Sequence, residues 1–169
     1  MKINLIDLKD ELDTLQFQVS PQELDLKFEG ADFSKPALVE LTLRRNGDSY
    51  YCSGEAKTEV RLECSRCLEP YSPTLKAKFD FFVRVEKDRI QIEYQDQAEP
   101  LVFPGNQFFS VDSLIEEAIL LSLPLKPLCS EDCKGLCPVC GANLNISTCQ
   151  CKKEKPDPRW DKLKDRLKG

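Results

Sequence analysis

The chain contains no histidine. That removes the side chain most often used as a general base or metal ligand near neutral pH. It also removes the Ser-His-Asp and Cys-His arrangements of nucleophilic catalysis. No apolar run approaches the ~18 residues that a membrane-spanning helix needs. The opening MKINLIDLKDELDTL carries acids early and lacks the apolar core of a secretion signal. A cytoplasmic protein with no membrane association is the expectation. A Gly-rich phosphate loop, an internal repeat and a low-complexity linker are all missing. An excess of positive charge is missing too: the formal net charge is −5, whereas a sequence-independent nucleic-acid binder is normally basic.

Cysteine, by contrast, is abundant. The chain has nine in 169 residues, six of them between Cys129 and Cys151 in CSEDCKGLCPVCGANLNISTCQC. Complete internal disulfide pairing is impossible with nine, and a reducing compartment disfavours disulfides. A chain of this length buries enough apolar surface to fold without them. The cysteines therefore point to metal binding or thiol chemistry.

Eight of them fall into four pairs: Cys64/Cys67, Cys129/Cys133, Cys137/Cys140 and Cys149/Cys151. Tetrahedral Zn2+ takes four such ligands, and two thiolates two residues apart converge on one ion from a tight turn. Two zincs use all eight. In the favoured partition Cys137 and Cys140 join Cys149 and Cys151, and Cys64 and Cys67 meet Cys129 and Cys133. The alternative puts Cys129, Cys133, Cys137 and Cys140 on one zinc. Complete sets of four thiolates are closed, structural sites rather than catalytic ones, and Glu69, Glu131 and Asp132 read as solvated turn acids. Cys52, left over on an alternating strand, reads as a small buried apolar residue. A redox dithiol at Cys64/Cys67 is disfavoured. The pair follows an antiparallel strand and runs into Pro70, whereas thioredoxin-type motifs open a helix.

Period-2 alternation marks strands with Val39, Leu41 and Leu43 on one face, then Tyr50, Cys52 and Gly54, then Val60, Leu62 and Cys64. It continues with Phe79, Phe81, Val83 and Val85, and with Ile90, Ile92 and Tyr94. NGDS at 46–49 reads as a hairpin turn. The period changes in SVDSLIEEAILLSLP, where Leu114, Ile115, Ala118, Ile119 and Ser122 share a helical face. Ser113 and Glu116 fit a capping box there. LPLKPLC, with its two prolines, is expected to be extended. KPDPRWDKLKDRLKG suggests a short helix capped by Asp157, with Trp160, Leu163 and Leu167 in a narrow apolar stripe. The expected fold is α+β: a largely antiparallel sheet with a packed helix and a C-terminal cysteine-rich zinc-binding segment. Residues 1–128 form the core domain, 129–151 the zinc-binding cluster packed on it, and 152–169 a basic helix or tail.

At CSRCLEPY (Cys64–Tyr71), LPLKPLCSEDCKGLCPVCGANLN (Leu123–Asn145) and the closing DPRWDKLKDRL, the chain resembles the YceD family, the large ribosomal RNA subunit accumulation proteins. These motifs cover about a third of the chain. The resemblance implies a bacterial factor, with chloroplast relatives, in 23S rRNA accumulation or processing, and no enzymatic activity. It carries the family's motif cysteines onto Cys64, Cys67, Cys129, Cys133, Cys137 and Cys140. Cys149 and Cys151 fit its cysteine-rich branch. Partners are then rRNA or ribosomal and assembly proteins of the large subunit, with no small-molecule substrate.

Charge is distributed unevenly. From Lys126 onward ten Lys/Arg face six Asp/Glu, so this part carries +4 and residues 1–125 carry −9. The contact expected for RNA or protein is therefore the tail: Lys152, Lys153, Lys155, Arg159, Trp160, Lys162, Lys164, Arg166 and Lys168. Such a stripe is also what a solvated helix face carries. Each four-thiolate zinc carries −2, so two take the formal charge from −5 to −9. That favours a protein partner or a local RNA site over wrapping a duplex. A zinc-stabilised protein–protein adaptor and a thiol redox protein are the alternatives.

Overall fold

The computed structural model describes residues 2–8, 11–94 and 99–151. The strands are β1 (Lys2–Asn4), β2 (Leu12–Val19), β3 (Ala31–Asp32), β4 (Ala37–Asn46), β5 (Ser49–Glu59), β6 (Arg61–Glu63), β7 (Pro70–Tyr71), β8 (Thr74–Val85), β9 (Arg89–Tyr94), β10 (Leu101–Pro104) and β11 (Phe108–Ser110). One α-helix follows, α1 (Asp112–Leu121). The described chain is thus mostly antiparallel β with a single ten-residue helix, a smaller helical share than an even α+β reading suggests. No helix is long and apolar enough to cross a membrane among the described residues.

A six-stranded antiparallel sheet in the order β10-β9-β8-β5-β4-β2 forms the body. Alternation decides its faces. Val39, Leu41, Leu43, Cys52, Phe79, Phe81, Val83, Ile90 and Ile92 all point inward and are buried. Helix α1 lays Leu114, Ile115, Ala118 and Ile119 on that face, against β8 and β5. Burying each of the Leu and Ile side chains is worth about 1.5–3 kcal/mol. A two-stranded ribbon of β1 and β11 closes one side, where Phe109 meets Phe81 edge-on at 6.4 Å.

One local expectation holds and one is corrected. Asn46 pairs with Ser49, so the hairpin loop is Gly47-Asp48, with Gly47 at φ 62 in the first loop position. The turn expected at 46–49 therefore forms, with the glycine where left-handed backbone is needed. The capping box at Ser113 and Glu116 does not form. The helix starts two residues earlier, Ser113 lies inside it, and the cap residue is Val111 with no side-chain hydrogen bond. Ser110 Oγ instead bonds Asp112 Oδ2 at 2.8 Å. The second helix expected after Asp157 lies outside the described residues.

The feature that positions the cysteines is a single long hairpin. Strand β5 runs on through buried Val60 into β6, and β7 runs on into β8. The pairing passes from Glu59↔Thr74 to Leu62↔Tyr71 and Glu63↔Pro70. Beyond the sheet, β3 joins β6 and β7 in a small three-stranded layer. The hairpin tip, residues 64–69, carries Cys64 and Cys67.

Candidate metal centres

The eight paired cysteines form two clusters, Cys64/Cys67/Cys129/Cys133 and Cys137/Cys140/Cys149/Cys151, and within each the four sulfurs lie within 4.8 Å of one another. This is the grouping of the first partition. Cys129 and Cys133 do not share a cluster with Cys137 and Cys140. Cys52 stands apart, fully buried under the sheet, where desolvation pushes its thiol up to about 12.

In the first cluster the Sγ atoms of Cys64 and Cys133 are 3.7 Å apart, as are those of Cys67 and Cys129. Zn–S bonds of about 2.3 Å in a tetrahedron require sulfur separations of about 3.8 Å. The cage therefore has the dimensions of a tetrahedral thiolate site. Cys64, Cys67 and Cys133 are buried, with Tyr71, Leu128 and Leu136 packed against them. The second cluster is more open: Cys137 is buried, Cys149 and Cys151 are half-buried and Cys140 is exposed.

Backbone curvature builds both sites in the same way. In Cys64–Leu68 the Leu68 N–H donates to the Cys64 carbonyl at 2.9 Å, and in Cys137–Gly141 the Gly141 N–H donates to the Cys137 carbonyl at 2.9 Å. The closing residue is left-handed in each, at φ 58 for Leu68 and φ 73 for Gly141. These turns aim amides at the first sulfur. The N–H groups of Cys129, Cys67 and Arg66 pull the Cys64 thiol down to about 6. Those of Cys140 and Val139 do the same for Cys137, also to about 6. Crowding works the other way on other members. Desolvation and the neighbouring thiols Cys133 and Cys64 push Cys129 up to about 12. Cys140, followed by desolvation, pushes Cys151 up to about 12. Four thiols in one cage cannot all ionise against each other, whereas a divalent cation removes that conflict and deprotonates all four. The donor set, its size and its electrostatics fit a metal ion.

Three supporting residues were not singled out by sequence reasoning. Arg66, inside the CSRC turn, donates from Nη1 to the carbonyls of Glu131 (3.0 Å) and Cys133 (2.9 Å), and its own carbonyl accepts from Leu136 N at 3.1 Å. It clamps the hairpin tip to the cysteine-rich segment. Gly135 permits that approach: its φ is +73, and a Cβ there would sit 2.9 Å from the Arg66 carbonyl oxygen. Asn145 Nδ2 donates to Cys133 Sγ at 3.4 Å, while its Oδ1 accepts from Lys134 N at 2.8 Å. Such outer contacts fix a ligand's orientation. Asn145 falls inside the GANLN stretch of the recognised motif, so a signal existed. The expected tail contacts, Lys152, Lys153, Lys155, Arg159, Trp160, Lys162, Lys164, Arg166 and Lys168, lie outside the described residues.

The family described as "Large ribosomal RNA subunit accumulation protein YceD" matches residues 52–167, a span that takes in both clusters. An uncharacterized protein of Mycobacterium tuberculosis is 30% identical over 151 residues, covering 88% of this chain and 70% of that protein. The chloroplast "Large ribosomal RNA subunit accumulation protein YCED homolog 1" of Zea mays is 30% identical over 149 residues, 73% of this chain and 51% of the homolog. The Haemophilus influenzae "Large ribosomal RNA subunit accumulation protein YceD" is 34% identical over 84 residues, 48% of this chain and 47% of that protein. No solved structure matches. With a match running over more than half of its length and through all eight clustered cysteines, this chain belongs to the YceD family of large ribosomal RNA subunit accumulation proteins.

Proposed function

We propose that this chain is a non-enzymatic factor in ribosome biogenesis. It supports 23S rRNA accumulation or processing for the large subunit, in the cytoplasm, with one structural Zn2+ in each four-cysteine cluster. The observation that carries the reading is the closed donor set within the family-matched region. Four sulfurs at tetrahedral spacing leave no coordination position for water or substrate. The chain also supplies no histidine to serve as a base. Burial of Cys64 and Cys67 weighs against a dithiol that exchanges with protein disulfides, because reactive cysteines need access. The tail cations from Lys152 to Lys168, with Trp160, remain a proposed contact for rRNA or for a large-subunit protein. A second reading, a zinc-stabilised adaptor for an unrelated protein, draws on exposed Leu68, Val139 and Ile146 around the clusters.

Two measurements test the proposal. Metal content per chain, with thiol titration before and after chelation, should give about two zincs and eight protected thiols. Ribosomal subunit profiles of a deletion strain should show a deficit of large subunits that the intact chain restores. Unchanged profiles together with two bound zincs would favour the adaptor.

A further inference from the structure

The outer face of the six-stranded sheet serves neither the core nor the metal clusters. On its two middle strands, near the β4–β5 turn, Tyr51 on β5 and Phe82 on β8 are register partners, with ring centroids 5.2 Å apart and planes inclined by 50°. They are 42% and 54% exposed. A cross-strand aromatic pair helps hold a sheet, but β-branched residues do so without leaving two π faces in water.

The charge on this face is asymmetric in a way that the net charge hides. Arg44 is the register partner of Tyr51 on β4, and Lys78 and Lys76 follow on the same side of β8. None of these three has an ion-pair partner among the described residues. Of four carboxylates on the face, two accept only from neutral donors and keep their charge, and two are ion-paired. Glu40 accepts from Gln16 Nε2 at 2.7 Å, and Asp80 accepts the Tyr51 hydroxyl at 3.2 Å. Glu55 pairs with Lys57 at 3.3 Å, and Glu93 with Arg84 at 3.5 Å. What is left over is three cations against the two carboxylates Glu40 and Asp80, a margin of one positive charge, and the cations lie in line with the exposed aromatic rings.

Rings that accept stacked bases, beside free cations that accept phosphates, are the recognition chemistry of single-stranded nucleic acid. We infer that this sheet face binds single-stranded RNA, with Tyr51 and Phe82 stacking bases and Arg44, Lys78 and Lys76 meeting the phosphates. That the strand is RNA rests on the ribosomal reading above. Six residues separate Phe82 from Lys76, about 20 Å at ~3.3 Å per residue. A stripe of that length suits a short site of about four nucleotides. An A-form duplex does not fit, because its bases are withdrawn from a flat surface. With three free cations the affinity comes mainly from stacking, and the salt slope should be only about −2, at ~0.7 per phosphate.

The test uses the intact chain and fluorescence anisotropy with a labelled, unstructured 12-nucleotide RNA and with a duplex of the same sequence. The single strand should bind in preference to the duplex. Tyr51→Thr/Phe82→Val should weaken it at least about tenfold, since removing one stacking ring costs about 5- to 150-fold. Metal content and melting temperature should stay close to wild type, because Thr and Val suit strands. Lys76→Gln/Lys78→Gln should lower the salt slope by about 1.4. The inference is overturned if the wild type binds neither RNA, if the duplex binds as well as the single strand, or if the aromatic variant binds like wild type. Binding that vanishes only on removal of residues 152–169 also overturns it. Subunit profiles separate the two readings. A normal profile in the deletion strain, with RNA binding lost in the aromatic variant, would sink the ribosomal role and leave the sheet site standing. The reverse pair of results would sink the sheet site alone.

Discussion

Replacing Cys67 with serine should destabilise the whole body, whereas replacing Cys149 with serine should cost one metal ion and little else. The difference follows from what each cluster closes. The first ties Cys67 to Cys129 across 62 residues, a segment holding β7 to β11 and α1. The second ties Cys140 to Cys149, nine residues apart, with no strand of the six-stranded sheet between them. Treated as single cross-links, these loops restrict the unfolded chain by about 4.3 and about 2.7 kcal/mol respectively. Metal–sulfur binding adds to both, so these are floors. Only the first restricts the chain across the sheet. At ~2–4 °C per kcal/mol for a protein of this size, Cys67→Ser should lower the melting midpoint by about 8 °C or more. Cys149→Ser should leave the midpoint of the sheet within about 3 °C. Metal analysis beside far-ultraviolet circular dichroism melts gives both readouts. If Cys149→Ser lowers the sheet's midpoint as far as Cys67→Ser does, the division between a body staple and a local lobe is wrong.

Gly135→Ala sets a Cβ against the Arg66 carbonyl at a left-handed position. It should cost about 1–3 kcal/mol and speed chelator extraction from the first cluster, followed with a chromogenic chelator. Leu68 is a non-glycine residue at φ 58 with an exposed side chain. Left-handed backbone costs such a residue about 1–2 kcal/mol, of which glycine's extra entropy returns part. Leu68→Gly should therefore raise the melting midpoint slightly without changing metal content. Cys52 gives a pH signature. Its thiol is pushed up to about 12 in the fold but titrates near 8.5 in the unfolded chain. Its contribution is complete below the lower value and is lost as pH rises toward the upper one. Denaturant melts should show wild type losing about 1.4 kcal/mol per pH unit in that window relative to Cys52→Ala. The comparison cancels the other eight thiols.

The central strands were legible because each has one clean apolar face. Val39/Leu41/Leu43 and Phe79/Phe81/Val83 alternate without interruption, and all six are buried. Strand β2 was missed although Leu15, Phe17 and Val19 share a side. Asp13 sits on that same side, and the strand is half-buried at the sheet's margin, so its alternation is diluted. Strand β10 is four residues ending in Pro104, too short for a period to register. The cysteine pairs were visible from spacing, because a tight turn is a local event. The clamp was not: Arg66 acts through backbone carbonyls that lie 65 and 67 residues away. No local pattern encodes that distance. The same holds for the Tyr51–Phe82 pair, which exists only once β5 and β8 are in register.

The long hairpin joins these features and also separates them. Tyr51 lies near the start of β5, while Cys64 lies past the end of β6, thirteen residues further along. That is about 43 Å of extended chain. Between them β5 is paired on both sides, by β4 and β8, over an inward face that is buried. A disturbance at the tip would have to be carried along this doubly paired stretch to reach the aromatic rings. The segment after α1 has no such support. It is held to the body through the first cluster, by the Arg66 contacts and by Ser65 N to the Pro127 carbonyl at 2.9 Å. Metal loss there should therefore release the cysteine-rich lobe and leave the outer sheet face in place. RNA bound at Tyr51 and Phe82 would survive chelation at temperatures below the lowered melting point, whereas any partner that docks on Val139 or Ile146 would be lost. Chelating the intact chain and measuring both interactions distinguishes a sheet-borne RNA contact from one that the metal lobe carries.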